Sequence, residues 1–216
     1  MRCVTRAMRS RQRDMQDLID LEAPPLATLP ARERILRTAS DLFYRYSVHT
    51  IGIDRIIAES GVAKMTFYKY FPSKAQLVAD YLRHKTVGWL GMLAAAADQP
   101  GLSPIARVEA IFDALDGPFR TPPFRGCPFV KGLAEFGPEA DSPDVKATIA
   151  TYFEKLHALV AGVIAPLSLA EPEKAVLQVL TLVNGSIVLA QATADPGIAS
   201  ACKDAARTLL EAAPKR

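Results

Sequence analysis

From residue 31 onward, apolar residues recur every three or four positions, the period of an amphipathic helix. Ile35, Ala39, Leu42, Phe43 and Tyr46 make one face and predict a helix over about 31–46. Ser47 to Gly52 breaks the pattern. Ile53, Ile56 and Ile57 predict a short helix over 53–60, and Gly61-Val62-Ala63 reads as a tight turn in which Gly61 takes the positive φ that ends a helix. Lys64 to Phe71 predicts a third helix, stopped by Pro72. Ser73 caps a long fourth helix that carries Lys74 in its first turn and runs through Leu77, Tyr81 and Trp89 to about Ala96.

Proline punctuates the remainder. Ser103-Pro104, Ser142-Pro143, Glu171-Pro172 and Asp195-Pro196 each read as a helix start, with ends near Asp116, Ile164, Ala194 and Ala212. A loop is expected over 117–125 and a short helix over 127–136. No stretch alternates as a strand would. The fold class is therefore all-α: an N-terminal three-helix helix-turn-helix domain over 31–76 and a C-terminal helical domain over 77–216. Residues 1–30 read as a basic tail, disordered or partly helical, with Arg2, Arg6, Arg9, Arg11 and Arg13 ahead of Ala23-Pro24-Pro25.

Charge sharpens this division. Residues 31–86 hold ten Lys/Arg against five Asp/Glu, while residues 87–216 hold eleven against fourteen. A compact basic module on a mildly acidic body suits contact with a polyanion. Cys3, Cys127 and Cys202 are too few and too scattered for a disulfide framework or a metal site. No metal and no cofactor is expected, and no glycine-rich phosphate loop or nucleophile elbow speaks for an enzyme. No apolar run reaches membrane-spanning length and no signal peptide opens the chain, so a cytoplasmic protein without membrane contact is expected.

Two short helices joined by a three-residue turn, the second basic and aromatic, make a helix-turn-helix. Its inner face is expected to hold Ile53, Ile56, Ile57, Val62 and Phe67, and its outer face Lys64, Met65, Thr66, Tyr68 and Lys69. The segment Thr50-Ile51-Gly52-Ile53-Asp54-Arg55-Ile56-Ile57-Ala58-Glu59-Ser60-Gly61-Val62-Ala63-Lys64-Met65-Thr66-Phe67-Tyr68-Lys69-Tyr70-Phe71-Pro72-Ser73-Lys74 closely resembles the DNA-binding signature of the TetR/AcrR family of repressors. The resemblance implies a recognition helix over 64–71 in which Lys64, Met65 and Thr66 face bases. It implies phosphate contacts from Tyr68 and Lys74, with Lys69 reaching base or phosphate. Thr50 stands in for a hydroxyl that the family often has just before the second helix, where Ile51 and Gly52 lie here. Ile57 also departs from the family's small residue. Phe67, Tyr70 and Phe71 are expected to pack inward.

The family's C-terminal domains dimerise and bind a small effector, whose arrival commonly releases a repressor from a palindromic double-stranded operator. By that resemblance a homodimer is expected, built from Val176, Val179, Leu180, Val183 and Ile187 on one helix with Ile198, Cys202 and Leu209 on the last. The first of these helices is apolar nearly all round and is expected to be buried. A mostly apolar effector pocket is expected among Trp89, Phe112, Phe119, Phe124, Cys127, Phe129, Phe136, Tyr152 and His157. Arg125-Gly126-Cys127-Pro128-Phe129 resembles a Gly-Cys-x-Phe signature of one branch of the family. Cys127 is open to two readings, a thiol that senses electrophiles or oxidants and a small buried residue closing a turn; free cysteines are more often buried and inert. A DNA-binding protein without an effector is the remaining alternative.

Overall fold

A computed structural model describes residues 24–136 and 142–216. Among these residues nine α-helices follow one another: α1 (Ala31–Arg45), α2 (Ile53–Ser60), α3 (Lys64–Tyr70), α4 (Lys74–Ala97), α5 (Pro104–Arg120), α6 (Pro128–Glu135), α7 (Pro143–Ile164), α8 (Pro172–Thr193) and α9 (Ile198–Ala212). The arginines of the tail and the short helix that the sequence permits over 14–22 lie outside the described residues. Residues 24–30 belong to the folded head: Leu26–Thr28 form a 3₁₀ turn, and Arg37 donates to the Pro24 carbonyl at 2.8 Å.

Serine caps mark where two of the helices begin. Ser73 Oγ accepts from Gln76 N at 3.2 Å, and Ser103 Oγ accepts from Ala106 N at 3.2 Å ahead of Pro104. Such a cap contributes about 1 kcal/mol. The last helix starts later than Asp195-Pro196 implies, because Asp195 Oδ1 instead accepts from Gly197 N at 2.7 Å and closes a turn before Ile198. α5 runs four residues past its expected end, through Pro118, with Arg120 paired to Asp116 at 2.6 Å. The C-terminus clips back onto the α7–α8 connection, where Ala170 N donates to the Pro214 carbonyl at 2.8 Å and Leu169 faces Lys215 in an isolated antiparallel bridge.

α1, α2 and α3 close a small core of Ile35, Leu42, Phe43, Ile51, Ile56, Phe67 and Phe71 against the first half of α4. Phe43 meets Tyr81 of α4 edge to face at 5.5 Å. Asp80 of α4 holds Arg32 of α1 at 2.6 Å and also pairs with Arg83. The second half of α4 packs on α5 and α7, α8 lies against α5, α7 and α9, and α9 covers α5. Lys203 pairs with Asp113 at 2.7 Å and Arg207 pairs with Glu109 across that last contact.

Two sequence expectations about burial need correction. Tyr70 points outward rather than into the core, because its position on α3 falls on the flank of the buried Phe67–Phe71 stripe. α8 is not buried all round. Val176, Val179, Val183, Ile187 and Ala190 form its inward stripe, and Leu177, Val188 and Leu189 stand 59%, 47% and 48% exposed on the other side. By length and apolar content alone α8 would also pass as a membrane span; here its inner face packs against α5, α7 and α9.

Candidate nucleic-acid interface and the sites behind it

Gly61 turns the chain between α2 and α3 with φ 63° and ψ 34°, a left-handed conformation that costs any other L-residue about 1–2 kcal/mol. Ile51, fully buried one residue before the Gly52 cap, stands at hydrophobic-staple spacing from Ile56, also fully buried. The position where Ser or Thr was the expected residue therefore holds α2 in place through packing. Ile53 and Ile57, assigned to the inner face with Ile56, are only partly buried at its edge.

α3 then divides cleanly. Phe67 is buried, at 5.4 Å from the Tyr68 ring and 6.2 Å from Phe71. Lys64, Met65, Tyr68 and Lys69 all face solvent from the opposite side, with Met65 83% exposed. Thr66 is half-buried at the edge of that row. Lys64 lies 3.9 Å from Asp54, both strongly exposed, and Lys69 lies 5.9 Å from the centre of the Tyr70 ring. Arg55 extends this basic surface from α2, held by Glu59 at 2.7 Å and lying 4.8 Å over the Tyr46 ring. Thr50 is exposed in the turn ahead of α2. Lys74 is half-buried in the first turn of α4; desolvation holds it below the ordinary lysine range, opposed by the Glu135 carboxylate.

Glu135 belongs to a junction that the sequence did not reveal. One of its carboxylate oxygens accepts from Ser47 Oγ at 3.1 Å and from His49 N at 3.2 Å. The His49 Nε2 meets the Glu135 carbonyl at 2.9 Å. Nearer the start of α6, Lys131 Nζ donates to the Tyr44 carbonyl at 3.1 Å, and in the loop before the helix Arg125 N donates to the Tyr44 hydroxyl at 3.0 Å. Lys85 and Lys131 both lie near the Tyr44 ring, and burial pulls both below the ordinary lysine range. The end of α1 and the turn before α2 are thus bonded to α6. The partners sit more than eighty residues apart in sequence, so no local pattern announces them.

The nine residues expected in a pocket separate into several places. Trp89, Cys127, Phe129 and Tyr152 come together between α4, α6 and α7. Phe129 stacks on Tyr152 with ring centres 3.5 Å apart and planes 4° from parallel. The Tyr152 hydroxyl lies beside the Cys127 thiol and the Trp89 indole. Phe112 is fully buried on α5. Phe119 and Phe124 pair with each other at 5.0 Å. Phe136 and His157 do not join the cluster. Phe136 packs against His49 at the junction, 5.2 Å between rings, and His157 faces solvent with its Nε2 3.1 Å from Glu173.

Cys127 is 2% exposed, and burial pushes its thiol above its ordinary value, opposed by hydrogen bonds from the Val130 and Phe129 backbone. That environment keeps the thiol protonated, the opposite of an activated sensor cysteine. The interface assignment on α8 also needs correction. Val176, Val179, Val183 and Ile187 are buried within the chain and cannot meet a partner. A groove open to solvent instead runs between α8 and α9, lined by Leu177, Thr181, Leu182, Ala205 and Leu209. Leu180, Ile198 and Cys202 are partly buried.

Comparison with known proteins places this geometry. The sequence profile described as bacterial regulatory proteins, tetR family, matches residues 35–81. The HTH-type transcriptional regulator YxaF of Bacillus subtilis (strain 168) is 41% identical over 49 residues, which span 23% of this chain and 26% of that one. Among solved structures, a TetR-family transcriptional regulator from Streptomyces coelicolor is 27% identical with TM-score 0.76, over 84% of this chain and 94% of that chain. A TetR transcriptional regulator from Legionella pneumophila, 18% identical with TM-score 0.72 over 83% and 97%, shares the fold.

Proposed function

We propose that the chain, whose residues 35–81 match the tetR family of bacterial regulatory proteins and whose fold is that of a TetR-family regulator from Streptomyces coelicolor, is a DNA-binding repressor, not an enzyme, released from a palindromic operator by a small effector. The observation that carries this reading is the division of α3: Lys64, Met65, Tyr68 and Lys69 face solvent in one row over the buried Phe67 and Phe71. Lys64, Met65 and Thr66 read base edges. Tyr68, Lys69, Lys74 and Thr50 grip phosphates and fix the register. α8 and α9 pair with their counterparts in a second copy, so that two heads meet half-sites about one helical turn apart or a multiple of it.

Effector occupancy reaches the DNA through α6. This helix carries Phe129 at one end, against the Tyr152 ring, and Glu135 at the other, bonded to Ser47 and His49 just ahead of α2. A shift of Phe129 therefore pulls on the turn that orients the helix-turn-helix. The Cys127 sensing alternative finds no support in a buried, protonated thiol.

The test is a gel shift of the purified protein on DNA from immediately upstream of its own gene, at two salt concentrations and against competitor DNA. Specific binding that weakens with salt is the expected result. Failure there and in a selection from random DNA would refute the reading.

A further inference from the structure

The cluster at the head of α6 contains two buried polar groups with nothing to bond. Trp89 Nε1 and the Tyr152 hydroxyl are both shielded from solvent and lack a hydrogen-bond partner among the described residues. Tyr152 is fully buried, and it lies near the Cys127 thiol and the Trp89 indole without proper bonding geometry to either. An orphaned buried donor is costly and calls for an explanation. Two of them side by side, in the domain where an effector is expected, point to a ligand.

The surroundings narrow its chemistry. The indole N–H can only donate. The Tyr152 phenol and the Cys127 thiol are each pushed up by burial and stay protonated. The side chains acting on the phenol are Cys127 and Trp89, neither of them charged. A charged ligand would go uncompensated there. Phe129 covers the Tyr152 ring almost face to face, 3.5 Å between centres, an arrangement less favourable than an offset or edge-on pair. The Phe129 ring thus covers the flat face of Tyr152.

We propose that Trp89 and Tyr152 form the polar end of an effector slot for a small, neutral, planar molecule bearing a carbonyl-type acceptor, which enters by displacing Phe129 from the Tyr152 face. This rests on the effector-released repressor reading. The acceptor takes hydrogen bonds from the indole and the phenol, the flat group stacks on Tyr152, and the displaced Phe129 moves α6.

Trp89 is the single tryptophan of the chain, so its emission reports on the slot. The full-length protein is titrated with three compounds of matched shape: acetophenone, neutral with an acceptor; cumene, neutral without one; and benzoate, anionic. Saturable changes in Trp89 emission and in melting temperature are followed, and operator affinity is measured with and without acetophenone. Acetophenone is expected to bind about tenfold or more tighter than the other two and to weaken operator binding. In Tyr152→Phe its advantage over cumene should fall below about threefold. The melting temperature should hold or rise, since the lost hydroxyl had no partner. Equal binding of cumene, preference for benzoate, no binding of any of the three, an undiminished advantage in Tyr152→Phe, or unchanged operator affinity would each overturn the proposal. Failed titrations with intact operator binding refute the slot alone; loss of operator binding by the untreated protein refutes the reading beneath it.

Discussion

The outward face of α8 offers a sharp test of how two copies meet. Leu177 stands 59% exposed beside the groove formed with α9, on a helix whose opposite stripe is already spent in the core. Covering its side chain with a partner removes roughly 100 Å² of apolar surface, or about 2.5 kcal/mol. A two-fold interface repeats the contact, giving about 5 kcal/mol for the pair. Leu177→Glu forfeits that and leaves two carboxylates to be desolvated, so the dimer constant should weaken by a factor on the order of a thousand or more. Sedimentation velocity at micromolar protein should then find monomer, with helicity and cooperative unfolding retained because the residue is exposed within the chain. Leu133→Glu, equally exposed but on α6, is the control and should leave the dimer intact. Val179→Ala should do the reverse, costing about 2 kcal/mol of folding stability while the protein stays dimeric. A dimeric Leu177→Glu protein would refute the argument, and a folded but monomeric Val179→Ala protein would return the interface to the stripe first inferred from the sequence.

The other predictions concern the head and its link to the body. Gly61→Ala meets open space but keeps φ at 63°, so it should lose about 1–2 kcal/mol in urea unfolding, and a neutral result would mean the turn relaxes freely. Lys69→Ala should weaken binding to all DNA sequences and reduce the salt slope by about 1, whereas Met65→Ala should alter sequence preference with no change in stability; the opposite pattern would exchange their roles. Glu135→Ala removes two hydrogen bonds to a carboxylate and should cost about 1–2 kcal/mol in urea unfolding, and an unchanged midpoint would show that the junction does not hold in solution. Iodoacetamide near neutral pH should modify Cys202 well before Cys127, as peptide mass spectrometry would reveal. Since burial raises the Cys127 thiol above its ordinary 9.0, the fold holds the proton more tightly than the unfolded chain does. Its contribution to stability is therefore complete below that value and falls as pH rises past it, a decline that Cys127→Ala should lessen.

Legibility in the sequence followed the range of the interactions involved. α2, the Gly61 turn and α3 are each governed by neighbours within a few residues, so periodicity and turn chemistry placed α2 to the residue and the end of α3 to within one. Serine caps followed by proline fixed the start of α5 in the same way, whereas Asp195 could satisfy either a helix cap or a local turn and took the turn. Faces were harder than elements. α8 is apolar on two sides, and a periodic pattern cannot say which side meets its own chain; the core took Val176, Val179, Val183 and Ile187, and left Leu177, Val188 and Leu189 outside. The pocket failed in part for the same reason, because aromatic composition does not tell a ring that joins a cluster from one at a junction or on the surface. Phe136 went to His49 and His157 to Glu173. The α6 junction was out of reach altogether, since Glu135 meets Ser47 and His49 across more than eighty residues and none of the three is unusual in its local setting. In the function proposed above, release from DNA would run through this long-range coupling, so the part of the site least visible in the sequence is the part that the Glu135→Ala and effector experiments test.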